Sequence, residues 1–142
     1  MLVVQGARII AESWIGNVLF ALTAIPHALD VDGFEGPAIG MTLALFGISL
    51  LVWPWAFAAA LVRSSRGDDL AVASLFLTVG DAPREVRLHL FGALAVCIVV
   101  SAATAVANPF GVLVPMLPLG FIGLWAARYG TFPPRPVTPP RR

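Results

Sequence analysis

The charge-free stretch from Leu88 to Ala127 constrains the fold of this chain more than any other feature of its sequence. It runs for 40 residues without an aspartate, glutamate, lysine or arginine. One helix crosses the ~30 Å hydrocarbon core of a bilayer with about 20 apolar residues, so this stretch suits two crossings. Asn108 and Pro109 lie at its middle, and proline disfavours helix at and before its own position. The stretch therefore predicts a hairpin of two transmembrane helices.

Two earlier stretches predict two more crossings. Between Glu35 and Arg63 lie 27 uncharged residues, which is ample for one span. From Ser13 to Leu29 there are 17 uncharged residues, which make only about 25 Å of helix. We therefore expect residues 9–12 to extend this first span into the interface.

A cleaved signal peptide is the alternative interpretation of the first segment. Glu12 interrupts the expected basic leader, and the run Pro26-His27-Ala28 makes a poor cleavage site. We therefore expect the segment to be retained as a span. The four predicted spans are residues 9–29, 38–62, 88–107 and 110–127.

Composition supports lipid rather than water as the solvent of this chain. Of its 142 residues, 58% are hydrophobic and 12% are charged, against roughly 25% charged in ordinary globular proteins. A soluble protein this small needs charge to cover its large surface. The prediction is an all-α fold, a four-helix transmembrane bundle in which residues 1–130 form a single domain surrounded by the lipid bilayer.

The basic residues predict how the bundle is oriented. All nine are arginines, and they lie before the first predicted span, between the second and third, and after the fourth. They are Arg8, Arg63, Arg66, Arg84, Arg87, Arg128, Arg135, Arg141 and Arg142. Because cytoplasmic loops carry the excess of basic residues, we expect the N-terminus, the long middle loop and the C-terminus to be cytoplasmic.

The middle loop contains an apolar segment, residues 70–80, that is too short to cross a membrane. Its 11 residues would make about 16 Å of helix. We predict a short interfacial helix there, begun by Asp68 or Asp69 and ended by Gly80. It would lie on the inner leaflet or pack against the ends of the spans. An exposed apolar patch is also typical of a docking surface for another protein.

The C-terminal residues 131–142 predict a disordered tail rich in proline and arginine. Five of the last ten residues are prolines, which favour extended polyproline II structure and cannot build a packed core. A basic tail also suits contact with an anionic inner leaflet.

Small residues recur at every fourth position of the third span. They are Ala93, Cys97, Ser101 and Ala105. Small residues mark contacts between membrane helices because they allow close approach, so we expect this stripe to face another helix. Gly36 and Gly40 form a shorter pattern of the same type. Pro115 and Pro118 interrupt the fourth span, which predicts a fixed bend, with a hinge as the alternative.

The outer end of the first two spans holds the densest group of polar side chains. They are His27, Asp30, Asp32 and Glu35. Carboxylates and an imidazole are weak candidates for divalent cation ligands. Because the arginines are expected on the cytoplasmic side, an outer loop that carries only acidic charges needs no metal to explain it. No metal site is therefore predicted.

Other motifs point away from catalysis and from nucleic acid. The single cysteine excludes an internal disulfide and a CxxC motif. The sequence has no nucleophile–base pair, phosphate loop, haem motif or zinc motif, so neither an enzyme nor a cofactor is predicted. The net charge of +1 also argues against a nucleic-acid partner.

The C-terminal half carries a resemblance. The segment GVLVPMLPLGFIGLWAARYGTFPPR, together with LFLTVGDAPREVR before the third span, resembles a recurrent ending in small multi-spanning actinobacterial membrane proteins of unassigned function. The resemblance implies a bacterial plasma membrane location and a multi-pass protein. It implies no activity.

The features above favour a noncatalytic membrane protein that acts through helix–helix contacts. We expect an accessory or assembly subunit, whose partners are other membrane protein subunits or a second copy of itself. The alternative is a small oligomeric transporter or channel, in which Asn17, His27 and one of the two prolines of the fourth span border a water-accessible path. A membrane-embedded enzyme would require Glu12, Asn17, Ser101 and Thr104 to converge.

Overall fold

A computed structural model describes residues 4–76 and 82–137 of the chain. Within these residues the protein is all-α, and the one β-type contact is an isolated bridge between Asp68 and Pro134. Residues 77–81, which include the end of the predicted interfacial helix, lie outside the described ranges. The helices are α1 (Ala7–Ala28), α2 (Glu35–Ser65), α3 (Val72–Phe76), α4 (Arg84–Thr104) and α5 (Met116–Tyr129), with a 3-10 helix, η1, at Pro109–Leu113.

Four helical segments of the described chain are long and apolar enough to cross a membrane. They are α1, α2, α4 and the 21 residues Pro109–Tyr129, which combine η1 with α5. The prediction of an all-α chain with four such segments is confirmed. By length and composition, the chain is a multi-pass membrane protein.

The longest helix, α2, extends past the predicted 38–62 span at both ends. It has 31 residues, which is about 46 Å of helix, against ~30 Å of hydrocarbon. Glu35 occupies its first turn and Arg63 its last turn. Each charge lies at the helix end whose dipole it complements, so neither charge stops the helix.

The short helix α5 is the centre of the bundle. In the segment Pro109–Tyr129, which contains η1 and α5, 67% of the most apolar window is buried inside the protein, against 28–33% for the other three segments. The residues from Phe121 to Ala127 are all buried, and α5 contacts α1, α2, α3 and α4. The outer helices each bury one face and leave large apolar side chains exposed on the other. In lipid this arrangement is stable, since an exposed apolar face has no cost there.

Two glycines of α5 allow aromatic side chains of α2 and α3 to approach it closely. A Cβ on Gly120 would lie 3.0 Å from Cδ1 of Trp53, and a Cβ on Gly123 would overlap the ring of Phe76. These two aromatic rings stack on each other, with centroids 5.0 Å apart. Glycine at both positions therefore seats α2 and α3 against the central helix.

The fourth predicted span is broken into two helical pieces. After α4 ends at Thr104, the backbone turns at Asn108, and η1 runs from Pro109 to Leu113. Pro115 caps the start of α5, and Pro118, in the first turn of α5, is buried. Proline fits the first turn of a helix because the backbone N–H groups there have no intrahelical partner.

The middle loop begins differently from the prediction. Neither Asp68 nor Asp69 begins α3, which starts at Val72. The Asp68 carboxylate instead accepts a hydrogen bond from Nε of Arg63 at 2.9 Å. Leu75 of α3 is buried in contact with residues near the end of α5.

Part of the C-terminal segment predicted as a disordered tail lies in the described ranges, while residues 138–142 lie outside them. Over residues 131–135 the chain is docked on the loop that follows α2. The N–H of Asp69 donates to the carbonyl of Pro133 at 2.9 Å, and the N–H of Arg135 donates to the carbonyl of Gly67 at 2.8 Å. Arg63 donates to the carbonyl of Gly130. Backbone bonds of this kind depend on tertiary placement, and proline content does not prevent them, since proline keeps its carbonyl acceptor.

Candidate functional site

The buried polar side chains of the bundle are used mainly to join its helices. Asn17 of α1 is 5% exposed, and its Nδ2 donates to the carbonyl of Ala93 in α4 at 2.6 Å. Trp53 of α2 donates from Nε1 to the carbonyl of Met116 in α5 at 2.9 Å. Such interhelical bonds contribute about 0.6–2 kcal/mol each in a membrane.

Three of the four residues in the small stripe of α4 are buried, namely Ala93, Cys97 and Ser101, while Ala105 is partly exposed and follows the last residue of the helix. The Ser101 hydroxyl donates to the carbonyl of Gly111 in η1 at 3.0 Å. In a continuous helix that carbonyl would accept from the residue four positions later, which here is Pro115. That carbonyl accepts instead from the N–H of Val114 at 3.1 Å, and Ser101 adds a second donor to it. The stripe therefore contacts α1 and η1 of the same chain.

A second pair of side chains holds the turn between α4 and η1. Nδ2 of Asn108, which is 1% exposed, donates to Oγ1 of Thr42 at 2.9 Å. Thr42 in turn donates to the carbonyl of Ala38 one turn earlier in α2. The break in the fourth span is thus tied to α2 through Asn108 and Met116 and to α4 through Gly111. These contacts favour the fixed bend over the hinge.

Three buried polar atoms lack a hydrogen-bond partner within the described ranges. They are Oγ of Ser13, Nε1 of Trp14 and Oδ1 of Asn108. Within the described ranges, no contact groups these three atoms in one site.

The polar residues at the end of α1 are not assembled into a metal site. Across residues 4–76 and 82–137, no three histidine, cysteine, aspartate or glutamate side chains lie close enough to hold an ion. Nε2 of His27 lies 3.2 Å from the carbonyl of Ala107, which ties α1 to the turn after α4. Asp30, Asp32 and Glu35 are exposed. Asp30 adopts a left-handed backbone conformation with φ of 57°, typical of a turn.

The four residues that a membrane-embedded enzyme would require each bond a different partner. Glu12 forms an exposed ion pair with Arg8 at 2.8 Å. Asn17 and Ser101 bond the carbonyls described above, and Thr104 donates to the carbonyl of Val100 in its own helix. Each is therefore used in a local or interhelical bond.

One face of α2 has no neighbour in the described chain. Gly36, Gly40 and Gly47 lie four and seven residues apart, so they share one side of the helix. A Cβ built on any of the three meets nothing within 4 Å. We call these three residues the glycine face of α2. In contrast to the stripe of α4, it is small, apolar and free for contact.

Comparison with known proteins adds nothing to this picture: no protein family, curated protein or solved structure matches the chain. The geometry of the chain therefore carries the functional argument alone.

Several structural residues were missed by reasoning from the sequence. The indole N–H of Trp53 bonds the start of α5, a role that the sequence alone does not indicate. Asn108 was interpreted as a turn residue only. The pattern Gly120-x-x-Gly123 was the available signal that α5 is approached closely from two sides.

Proposed function

We propose that this chain is a noncatalytic integral membrane protein of a bacterial plasma membrane, an accessory or assembly subunit that acts through helix–helix contacts. Both termini and the middle loop would be cytoplasmic, as the arginine distribution indicates. In this orientation α3 would lie at the inner membrane interface.

The glycine face of α2 is the observation that carries this proposal. Lipid offers no hydrophobic drive for helix association, so membrane helices pair where small residues let backbones approach and pack. Inside the bundle, glycines are used in this way at Gly120 and Gly123. On α2 the same residue type lines a surface with open space around it. A partner helix is the occupant that best fits this surface.

The polar interior supports a structural role over transport. A transporter or channel would place Asn17 and the prolines of the fourth span beside water. Asn17 is buried between α1 and α4, and Pro118 is buried in the centre of the bundle. Asn17 and Pro118, which would line such a path, instead pack between helices of the bundle. Transport therefore remains the weaker proposal.

Replacing Gly40 with leucine tests the proposal, because the open space around Gly40 leaves the isolated bundle intact. We expect the wild-type chain, extracted in mild detergent after cross-linking in the membrane, to be recovered in a complex. The Gly40→Leu variant should be recovered as a folded monomer. The matched control is Ala103→Leu, which adds similar bulk at an exposed position of α4 and should assemble like the wild type.

Two differently tagged copies of the chain identify the partner in the same experiment. Co-purification of both tags indicates self-association, while a complex with one tag indicates another subunit. Recovery of the wild-type chain as a lone monomer, or normal assembly of Gly40→Leu, would contradict the proposal.

A further inference from the structure

An open apolar groove runs between α1 and α2, with α5 as its floor. It consists of two adjoining cavities of about 340 Å³ and about 260 Å³, which share Glu12, Ile48 and Phe121. Ile48 is 46% exposed, so the groove opens sideways toward the surroundings of the bundle. Leu117 lies at one end and Arg128 at the other.

The length of the groove matches one leaflet of a bilayer. Along α5 it extends from Leu117 to Arg128, which is about 16 Å of helix at 1.5 Å per residue. The hydrocarbon core of a bilayer is ~30 Å thick, so half of it is about 15 Å. A lipid acyl chain with its headgroup at the Arg128 end would therefore occupy the whole groove.

The mouth of the groove is positively charged. The charge of Arg8 is offset by its ion pair with Glu12. The guanidinium of Arg128 instead lies 5.6 Å from the ring centroid of Trp55, and no carboxylate in the described ranges pairs with it. An adjoining cavity of about 590 Å³ is lined by three arginines, Arg63, Arg66 and Arg128, and by Asp68. Asp68 pairs with Arg63, so the cavity carries a net positive charge.

We propose that this groove binds a phospholipid with an anionic headgroup. One acyl chain would lie along Ile48, Leu117 and Phe121, and the phosphate would contact Arg128, with Arg66 beside it. Arginine guanidinium groups suit phosphate through paired hydrogen bonds. Basic pockets between membrane helices on the cytoplasmic side are a known mode of anionic lipid recognition. This inference goes beyond the proposed function and does not depend on the glycine face.

The full chain in mild detergent is tested by native mass spectrometry with equimolar phosphatidylglycerol and phosphatidylcholine of identical acyl chains. We expect the wild type to retain phosphatidylglycerol preferentially. Arg128→Gln should lower that preference about fivefold, as expected for one basic residue at a membrane surface. Arg84→Gln, which removes an exposed arginine away from the groove, should leave the preference unchanged.

Two further variants test whether the groove holds the acyl chain of the lipid. Ile48→Trp fills the groove and should reduce retention of both lipids, whereas Leu50→Trp, at a position 53% exposed outside the groove, should not. Inorganic phosphate should fail to displace the lipid, because it lacks the acyl chain. Displacement by phosphate alone would overturn the proposal in favour of a soluble anion site.

Two further outcomes would overturn the proposal. One is equal retention of the two lipids by the wild type. The other is a change of oligomeric state, with no change of lipid retention, in Ile48→Trp, which would assign the groove to a partner helix. Gly40→Leu should keep the wild-type lipid preference, so failure of the lipid site and failure of the proposed function are distinguishable.

Discussion

Replacing Gly123 with alanine probes how the loop helix α3 is seated on the central helix α5. The new Cβ would overlap the Phe76 ring, which also stacks on Trp53 with an interplanar angle of 22°. Phe76 must therefore move, and the stacked pair must open. The Phe76 ring also contacts Phe57, with centroids 6.2 Å apart, which limits the directions in which it can move.

The expected cost of Gly123→Ala follows from three opposing effects. Overpacking a filled site costs roughly 1–3 kcal/mol, and losing an aromatic pair costs about 0.5–1.5 kcal/mol. Alanine favours helix over glycine by about 1 kcal/mol. The free energy of unfolding should therefore fall by roughly 2 kcal/mol, with the loss concentrated in α3.

Gly92→Ala is the matched control for this prediction. A Cβ there lies 3.8 Å from Cζ2 of Trp14, an ordinary contact, so only the helix preference of alanine should act. Its free energy of unfolding should rise by up to about 1 kcal/mol. Both variants are measured by equilibrium unfolding in mixed detergent micelles, with hydrogen exchange over residues 72–76. Equal stability of the two variants, or unchanged exchange in α3 of Gly123→Ala, would refute the reasoning.

Three further perturbations test the contacts that hold the broken fourth span and the C-terminal segment. Ser101→Ala removes one donor from the Gly111 carbonyl, which also accepts from the N–H of Val114 at 3.1 Å, and should lower the free energy of unfolding by about 0.6–2 kcal/mol in micelles; an unchanged value would show that the bond is not needed. Trp53→Phe keeps an aromatic ring but loses the hydrogen bond to Met116, so the free energy of unfolding should fall by about 1 kcal/mol. A fall as large as that of Trp53→Ala would show that the ring contributes nothing beyond the hydrogen bond, and would contradict the prediction. Arg63→Gln should release residues 131–135 and speed their hydrogen exchange, while Arg66→Gln should not; equal protection in both variants would show that Arg63 does not hold the segment.

The number of membrane-length helices was predictable because charges are costly in hydrocarbon. The arginines at positions 63 and 128 lie near the ends of apolar helices in the structure, and the proline at position 109 begins a new helical segment. Each of these signals is local, since it depends on residues next to one another in the chain.

The central position of α5 was not predictable from the same signals. All four membrane-length segments are strongly apolar, and lipid and protein neighbours are equally good solvents for such surfaces. Burial is nevertheless about twice as high in Pro109–Tyr129, which contains α5, as in the other segments. The central helix is distinguished by small residues such as Gly120 and Gly123. These glycines are approached by Trp53 and Phe76, which are distant in the sequence, so the contacts cannot be read from neighbouring residues.

The backbone hydrogen bonds of residues 133 and 135 were not predictable for a related reason. Its prolines predict extended backbone, and the segment is extended, without helix, between Gly130 and Val137. Its partners are backbone groups of residues 67–69, and backbone acceptors carry no signature in sequence. The acyl-chain groove is likewise formed by three helices whose lining residues are distant in the chain.

Labelling of single cysteines with a membrane-impermeant maleimide tests the central claim most directly. In a Cys97→Ala background, one cysteine each is placed at Asp32, Val106 and Val137, all exposed in the structure. In intact cells the account predicts that the first two positions are labelled and that position 137 is labelled only after the membrane is permeabilised. Labelling of positions 32 and 106 from opposite sides, or recovery of the chain in solution without detergent, would contradict it.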